Sequence, residues 1–199
     1  MAARADRQVE RRRQILDAAV KVFARRGFHA SRVGDIAEEA GVAYGLVYHY
    51  FTSKEELLET IFRDTWTQML ERVREVEASG VDSTEQVRRV TALLLRTWRR
   101  DPDLVRVLVL EVTRSQHVQR EIEEITQAMS TLERIIRRGQ ETGQLRPDLD
   151  PRLGAVVFYG ALDEILTGWV LGQLPDGDED IARAERNVVQ LLVEGMRDR

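Results

Sequence analysis

The chain has 199 residues, of which 43% are hydrophobic, 32% charged and 6% aromatic. This composition is typical of one or two globular domains with enough apolar side chains for a sizeable core. The 13 glycines and 4 prolines are too few for a turn-rich β-sandwich or a collagen-like chain. Because cysteine is absent, disulfide scaffolds, zinc fingers, iron–sulfur sites and thiol nucleophiles are excluded.

The net charge of -4 is unevenly distributed along the chain. Residues 1–54 carry a net charge of +4 and the remaining residues carry -8. A basic N-terminal part on an acidic body indicates that only the N-terminal part meets a polyanion. The longest stretch without a charged residue, Ala40–Ser53, is shorter than the about 20 residues that cross a bilayer. The N-terminus also lacks the apolar core of a secretory signal, so we expect a cytoplasmic protein without membrane contact.

Hydrophobic residues recur at helical spacing through almost the whole chain, which predicts an all-α protein of about nine helices. An apolar stripe between Ile15 and Phe23 predicts a first helix that ends near Gly27. Two short helices are predicted over 32–40, with Ser31 as the N-cap, and over 44–50. The first three helices form a predicted N-terminal domain over residues 1–52.

Capping signals mark the helices that follow in a second predicted domain, a helical bundle over residues 53–199. Ser53 with Glu56, and Ser83 with Gln86, are candidate capping boxes that begin the fourth and fifth helices. Two further helices are predicted to begin at Asp101-Pro102 and Asp150-Pro151, where a capping residue precedes a proline. A coiled-coil-like stripe over 118–136 and a last apolar helix over 181–196 complete the bundle.

The two short helices have the spacing of a helix-turn-helix. Ala37 is small where the helices must approach, and Gly41 lies in a turn that favours positive φ. In this motif the second helix enters the major groove of DNA. Tyr44 and Leu46 are candidates to contact base edges or thymine methyl groups, and Gly45 allows a close approach of the backbone. Five residues are candidates for phosphate contacts: Tyr48, His49, Lys54, Ser31 and Arg32.

A dense set of short motifs then resembles the DNA-binding head of TetR-family transcriptional regulators. The matching segments are Gly27-Phe28, Ser31-Arg32-Val33, Asp35-Ile36-Ala37, Ala40-Gly41-Val42, Val47-Tyr48-His49-Tyr50-Phe51 and Ser53-Lys54-Glu55-Glu56-Leu57-Leu58. The resemblance implies an all-helical homodimer that binds a palindromic operator and releases it on binding a small molecule. Two residues depart from the family pattern. Ala43 stands where a Ser or Thr usually caps the recognition helix, and Gly34 stands at a position that is more often polar.

The alternative for this motif is a helical hairpin without a nucleic-acid role. The turn glycine, the basic balance and the interleaved aromatic residues favour DNA binding over it. For single residues the alternatives stay open, because His49 either contacts a phosphate or lies free on the surface. The run Arg11-Arg12-Arg13 is expected to be a solvated face, and an N-terminal arm that reaches DNA is the alternative.

The C-terminal part resembles the FadR-type branch of the same family in scattered short matches. These matches are Leu110-Glu111-Val112-Thr113-Arg114-Ser115, Arg120-Glu121-Ile122, Gly139-Gln140-Glu141-Thr142-Gly143, Leu149-Asp150-Pro151-Arg152-Leu153, Gly160-Ala161-Leu162-Asp163-Glu164-Ile165 and Thr167-Gly168-Trp169-Val170. Members of that branch repress fatty-acid degradation genes and are released by long-chain acyl-CoA. The resemblance therefore implies a fatty acyl-CoA effector for this chain.

Apolar and basic residues of the second domain are candidates to bind such a ligand. Twelve residues make up the predicted site: Trp66, Met69, Leu95, Trp98, Arg106, Leu108, Glu111, Val112, Arg114, Met129, Leu132 and Phe158. The alternative for the apolar members is an ordinary packed core. The alternative for Arg106 and Arg114 is an ion pair within the chain, with Glu111 as one candidate partner.

The dimer surface is expected on the last two long helices, where small residues permit close helix approach. The candidate interface residues are Gly160, Ala161, Gly168, Val188, Leu192 and Met196. No phosphate loop, dinucleotide fingerprint, nucleophile elbow or metal-ligand spacing is present in the sequence. We therefore expect a protein that is not an enzyme and that holds neither a metal nor a cofactor apart from its effector.

Together these features predict a dimeric, ligand-responsive transcriptional repressor that binds double-stranded operator DNA and is released by a long-chain fatty acyl-CoA. The resemblance implies that its targets are fatty-acid degradation genes. A regulator of an efflux or other operon that senses a different hydrophobic molecule is the first alternative. A small helical acyl-processing enzyme and a protein-interaction module are more remote, since the former lacks a nucleophile and the latter leaves the basic head unexplained.

Overall fold

The computed structural model describes residues 2–112 and 123–197. Over these ranges every regular element is helical, which confirms the predicted all-α class. The helices are α1 (Ala2–Arg26), α2 (Val33–Glu39), α3 (Tyr44–Tyr50), α4 (Lys54–Ala78), α5 (Ser83–Arg100), α6 (Pro102–Val112), α7 (Glu123–Glu141), α8 (Pro151–Val170) and α9 (Asp178–Val188). A π-helical turn over Val189–Val193 follows α9.

The contacts divide the described residues into two compact units. The head unit contains residues 2–65 and 106–112, and the body unit contains residues 66–105 and 123–197. Helices α4 and α6 each contribute residues to both units.

The core of the head unit is built from the apolar faces of α1, α2 and α3 with the start of α4. Its buried side chains include Ile15, Ala19, Val22, Phe23, Ile36, Val47, Phe51, Leu57 and Phe62. Burying one such large side chain stabilises the fold by roughly 1.5–3 kcal/mol. Gly27 ends α1 with φ +76°, and Gly41 joins α2 to α3 with φ +62°, as the sequence predicted.

Three of the five N-cap residues predicted from the sequence cap their helices in the structure. The Glu56 N–H donates to Ser53 Oγ at 3.1 Å, and the Leu104 N–H donates to Asp101 Oδ1 at 2.9 Å. Asp150 Oδ1 likewise accepts from two backbone N–H groups at the start of α8. Each such cap satisfies backbone donors that would otherwise lack a partner in the first turn.

The two other predicted caps were wrong by one residue. Arg32 is the N-cap of α2, and the Ser31 hydroxyl instead donates to the Gly27 carbonyl at 2.6 Å. Asp82, with its carboxylate accepting from the Glu85 N–H at 2.8 Å, caps α5 in place of Ser83, which is buried. In both cases the neighbouring residue takes the extended backbone conformation of an N-cap, so the serine side chain is free to bond elsewhere.

Helix α5 is central in the body unit, because it packs against α7, α8 and α9. The buried residues around it include Val87, Val90, Leu132, Ile135, Ile136, Ala155 and Leu162. Gly139 lets α7 approach the following loop closely, since a Cβ atom there would lie 2.6 Å from Leu145 Cδ1. A larger residue at 139 would therefore clash with the side chains of Leu145 and Ser83.

Candidate DNA-binding surface and effector site

Helix α3 presents an exposed aromatic face on the surface of the head unit. Tyr44 is 56% exposed and Tyr48 is 44% exposed, whereas Val47 on the opposite side is 1% exposed. Gly45 and His49 are exposed beside the two tyrosines. Two neighbouring exposed rings beside an exposed glycine and histidine make this face the strongest candidate in the head unit for contact with a partner.

The two tyrosines of α3 hold each other in place. Their ring centroids lie 5.2 Å apart in an edge-to-face arrangement, and their hydroxyl oxygens are hydrogen-bonded at 3.3 Å. This hydrogen bond raises the pKa of Tyr48 above its usual value. The Tyr48 phenol therefore stays neutral at physiological pH and can donate a hydrogen bond to an acceptor such as a phosphate oxygen.

The recognition helix begins without a side-chain cap, as the alanine at its start predicted. Ala43 is the N-cap residue of α3 and accepts from the Leu46 N–H at 2.8 Å through its backbone carbonyl alone. The adjacent Tyr44 is exposed. The first N–H groups of α3 are thus left to water or to a ligand.

Two residues near the start of α2 differ in exposure. The Ser31 side chain is buried, whereas Arg32 is exposed. The Arg32 N–H donates to Asp35 Oδ2 at 2.9 Å, and Arg26 Nη1 donates to Asp35 Oδ1 at 2.6 Å. The backbone hydrogen bond, followed by the Arg26 charge, lowers the pKa of Asp35. The guanidinium of Arg32 is placed where it can meet solvent or a polyanion.

Lys54, at the first position of α4, is engaged within the head unit. Its ammonium donates to the carbonyl oxygens of Phe28 at 2.6 Å, Ser31 at 2.9 Å and His29 at 3.5 Å. It also lies 4.4 Å from the centre of the Phe28 ring. An ammonium has three donors, and three carbonyls take them here, so this lysine braces the turn between α1 and α2.

Glu111, a predicted ligand residue, lies in the head unit and contacts the same turn. Its side chain is 6% exposed, and its Oε1 accepts from the Phe28 N–H at 3.1 Å. Phe28 is thus held through its N–H by α6 and through its carbonyl by α4. A buried carboxylate needs such a donor, since burial without one is costly.

A cleft of about 390 Å³ separates the N-terminal half of α1 from α3. Its lining residues are Arg7, Gln8, Glu10, Arg11, Gln14, Leu46 and Tyr50. The side-chain amide of Gln14 donates to the Ala40 carbonyl at 2.7 Å, which fixes α1 to the end of α2 beside the cleft. In the basic run of α1, Arg11 and Arg13 are exposed to solvent, whereas Arg12 packs over the Phe51 ring and pairs with Asp64 at 3.3 Å.

The predicted effector residues are divided between the two units and a segment outside the described residues. Arg106, Leu108 and Glu111 belong to the head unit. Arg114 lies outside the described residues, as does the side chain of Val112. The seven in the body unit are Trp66, Met69 and Met129, which are partly buried, and Leu95, Trp98, Leu132 and Phe158, which are buried.

Aromatic side chains concentrate among the body residues of this predicted site. The Trp98 and Trp169 rings are stacked with centroids 6.3 Å apart, and the Trp66 and Tyr159 rings lie 6.0 Å apart. Burial, with a smaller effect of the nearby Asp163, raises the pKa of the Tyr159 hydroxyl. This part of the body unit is therefore apolar with a neutral phenol, which suits contact with a hydrocarbon chain.

The outer face of α8 carries an exposed apolar stripe that we define as Leu153, Val156 and Val157. These side chains are 60%, 53% and 53% exposed, and Gly160 continues the stripe in open space. Among the described residues, α8 is also the one helix with the length and mean hydropathy of a membrane-spanning segment, a property that core helices of soluble proteins share. The spacing of the stripe gives one continuous face along two turns.

The other predicted interface residues occupy mixed environments. Ala161 and Leu192 are partly buried, and Val188 and Met196 are buried within the body unit. Gly168 packs against Leu174 of the same chain, because a Cβ atom at 168 would lie 2.7 Å from Leu174 Cδ1. The sequence reasoning missed the stripe itself, although apolar residues at 153, 156 and 157 recur at helical spacing. It also missed Phe28, whose two partners are distant in sequence.

No group of three or more acidic or histidine side chains in the described part of the chain is arranged to hold a metal ion. The sequence matches two protein families. Residues 15–61 match the family described as "Bacterial regulatory proteins, tetR family", and residues 62–195 match "YsiA-like protein, C-terminal region". The second match begins where the first ends, so the two together span almost the whole chain.

Individual relatives cover nearly the full length as well. The "Fatty acid metabolism regulator protein" of Bacillus subtilis is 33% identical over 188 residues, which cover 94% of this chain and 95% of that protein. The crystal structure of FadR from Bacillus subtilis in complex with stearoyl-CoA is similar, with a TM-score of 0.81 and 32% identity, covering 92% of this chain and 98% of that one. FadR from Bacillus halodurans has a TM-score of 0.85 at 31% identity, covering 95% and 97%.

Proposed function

The chain belongs to the TetR family of bacterial regulatory proteins and is related to the FadR regulators of fatty acid metabolism, and from this premise we propose that it is a dimeric repressor released by acyl-CoA. It acts in the cytoplasm, binds a palindromic operator and dissociates when a long-chain fatty acyl-CoA binds. The genes it controls are those of fatty-acid degradation.

The observation that carries operator binding is the exposed face of α3. Tyr44, Gly45, Tyr48 and His49 lie together on it, and residues 1–54, which include α3, carry a net charge of +4. Leu46 is partly buried at the edge of this face. The face reads bases in the major groove, while Arg32 and the donors near the start of α2 bind phosphates. Ser31 contributes by shaping the turn rather than by its buried hydroxyl.

The observation that supports an acyl-CoA effector is the stearoyl-CoA bound to the relative that is 32% identical. In the body unit of this chain, the aromatic cluster around Trp66 and Trp98 offers an apolar surface for the acyl chain. Arg106 keeps the role that the sequence predicts for it, as a candidate for the CoA phosphates. The residues 113–122 include the further candidate Arg114.

Dimer formation rests on the exposed stripe of α8. The side chains of Leu153, Val156 and Val157 would be covered by the same helix of a second copy, since a two-fold interface brings one patch against itself. Gly160 permits close approach of the two helices because nothing lies within 4 Å of a Cβ at that position. The two recognition helices of the dimer then read two half-sites.

The effect of effector binding is transmitted to the head unit by α4 and α6, the two helices that contain residues of both units. Helix α4 begins at Lys54 and α6 carries Glu111, and both hold Phe28 in the turn between α1 and α2. A change in either helix on effector binding shifts this turn and the α3 face that follows it. The loss of operator affinity equals the preference of the effector for the released state.

The decisive experiment measures binding of the purified protein to its own upstream DNA by fluorescence anisotropy. Palmitoyl-CoA, stearoyl-CoA, free palmitate and CoA alone are titrated in parallel. Release by the acyl-CoA esters alone supports the proposal. Specific DNA binding that none of the four compounds reverses would support the assignment as a regulator and reject an acyl-CoA effector. A different hydrophobic effector would then be the remaining candidate.

The matched variant for the DNA-binding surface is Gly45→Ala. A Cβ atom at this position meets nothing within 4 Å, so the substitution leaves the fold intact and adds bulk only where DNA approaches. We expect operator affinity to fall at least about tenfold, since a blocked approach removes neighbouring contacts as well. Affinity for palmitoyl-CoA should stay unchanged, and equal operator affinity would refute the assignment of α3.

A further inference from the structure

The first turns of α1 form a basic helical extension that lies outside the family match. We define this extension as residues 6–14, all of which precede residue 15, where the match begins. All its residues are exposed except the partly buried Arg12, and Val9 is its only hydrophobic member. It carries four arginines against Asp6 and Glu10. This surface has the composition of a site for an anionic polymer rather than for an apolar partner.

The extension lies beside the recognition helix. Arg7, Arg11 and Gln14 recur at helical spacing and form one side of the cleft, and Leu46 and Tyr50 of α3 form the other. The hydrogen bond from Gln14 to the Ala40 carbonyl fixes α1 against the turn that precedes α3. The part of α1 that carries Arg7 and Arg11 is thereby placed along one flank of α3.

That flank adjoins the proposed base-reading face of α3. Successive residues of an α-helix are about 100° apart around its axis. The order of side chains around α3 is therefore Tyr44 and Tyr48, then Gly45 and His49, then Leu46 and Tyr50, and last the buried Val47. A duplex lying on the first two pairs would have one of its backbones next to the third pair, where Arg7 and Arg11 lie.

We propose that Arg7 and Arg11 bind backbone phosphates of the operator beside the groove that α3 enters. This inference rests on the proposed function and extends the operator contacts to a helix outside the helix-turn-helix. A guanidinium presents a planar fork of donors that matches a phosphate. Because the extension is already helical, binding costs less ordering entropy than it would for a disordered arm.

The test uses the full-length Arg7→Ala/Arg11→Ala double variant and a duplex selected from a random pool by the wild-type protein. Alanine is a strong helix former, so α1 is retained, which circular dichroism checks. Each phosphate contact contributes about 0.9 to the slope of log affinity against log salt concentration. Because the proposed dimer would lose two contacts from each protomer, four in all, we expect the magnitude of the slope to fall by about 3.6, so that the affinity deficit is roughly 150-fold larger at 50 mM than at 200 mM salt.

Two single variants provide a second test of the contact and a control. Glu10 lines the same cleft, so a phosphate bound there would be repelled by its carboxylate. Glu10→Gln should therefore tighten operator binding about twofold at low salt. The control is Arg72→Ala, which removes an exposed arginine of α4 about five turns beyond Lys54 and should leave the slope unchanged.

Ethylation interference identifies the phosphates directly. We expect ethylation of the contacted phosphates to weaken binding of the wild-type protein but not of the double variant. An unchanged salt slope and an unchanged interference pattern in the double variant would overturn the inference. If Gly45→Ala still weakens binding in that case, only the α1 contact fails; if Gly45→Ala binds like the wild type, the proposed use of α3 fails instead.

Discussion

Phe28 shows how a single residue joins elements that are far apart in sequence. Its ring packs against Phe23 with centroids 5.3 Å apart, its N–H donates to Glu111, and its carbonyl accepts from Lys54. The residue follows Gly27, whose φ of +76° turns the chain out of α1. A small turn is thereby fixed by a carboxylate on one side and an ammonium on the other.

Glu111→Ala tests the carboxylate side of this arrangement. The substitution leaves the Phe28 N–H without its acceptor, which should lower the free energy of unfolding by about 1–3 kcal/mol. Glu111→Gln keeps a carbonyl oxygen at the same place and should cost less than about 1 kcal/mol. Urea denaturation measures both. Equal losses in the two variants would show that the charge, and not the hydrogen bond, is what matters.

The same pair of variants tests the proposed route from effector to head. If α6 acts on the head through Phe28, palmitoyl-CoA should reduce the operator affinity of Glu111→Ala by a smaller factor than that of the wild type. The Gln variant should respond as the wild type does. An undiminished response in Glu111→Ala, with normal effector affinity, would remove this contact from the route.

Lys54 was predicted from the sequence to bind a phosphate, and the carbonyls around it offer a second role. We expect Lys54→Met, which keeps the aliphatic length, to lower the free energy of unfolding by roughly 1.5–3 kcal/mol, because it removes hydrogen bonds to a charged group. The salt slope of operator binding separates the two roles. An unchanged slope would mean that Lys54 only supports the turn, and a fall of about 1 for each protomer of the dimer would assign it a phosphate contact as well.

At the scale of the helices, carboxylates that hold the head together make it sensitive to acid. Hydrogen bonds and arginine charges lower the pKa of Asp35 and of Glu39, and the Thr52 donors lower that of Glu56. A carboxyl whose pKa is lower in the folded state stabilises the fold above its unfolded pKa of about 4, and that contribution is lost as pH falls through the folded value.

We therefore expect the melting temperature to be steady near neutral pH and to fall as pH drops below about 5. Asp35→Asn should lower the melting temperature at pH 7 and flatten its dependence on pH, because the carboxylate that Arg26 and the Arg32 N–H contact is gone. Glu55→Gln, at an exposed position of α4, is the control. A pH profile for Asp35→Asn parallel to that of the wild type would contradict this explanation.

The outer face of α8 gives a prediction about assembly. Val156→Asp/Val157→Asp places two charges in the proposed two-fold contact, so each is brought near its copy and the dimer should dissociate. Val9→Asp makes the same chemical change at a position that is 69% exposed on α1 and should leave the dimer intact. Light scattering after size exclusion measures the masses. A dimer that persists in the α8 variant would move the interface elsewhere.

Comparison of the helices with their predictions shows which features of the fold can be inferred from the sequence. The helix-turn-helix was predictable because its signals are local: a glycine with positive φ, a small residue four positions earlier and apolar residues at helical spacing. The caps at Ser31 and Ser83 failed because a neighbouring residue can take the same role. The contact between Glu111 and Phe28 was out of reach, since no local pattern reports a pairing across 83 residues.

At the scale of the whole molecule, the proposed repressor must obey a reciprocal relation between its two ligands. If an acyl-CoA lowers operator affinity by some factor, the operator must lower acyl-CoA affinity by the same factor. Couplings of this kind amount to about 1–3 kcal/mol, or about 5- to 150-fold. The relation holds whatever path the signal takes between the units.

The tryptophans make this relation measurable from the effector side. All three, Trp66, Trp98 and Trp169, lie in the body unit, so their fluorescence reports on the unit proposed to hold the acyl chain. We expect palmitoyl-CoA to bind more weakly when saturating operator DNA is present, by the factor found in the release experiment. Gly45→Ala, examined at DNA concentrations where it stays unbound, should show no such weakening. A factor that keeps growing as the concentration of the other ligand is raised, without reaching a plateau, would show that acyl-CoA and DNA exclude each other and would contradict coupling between two separate sites.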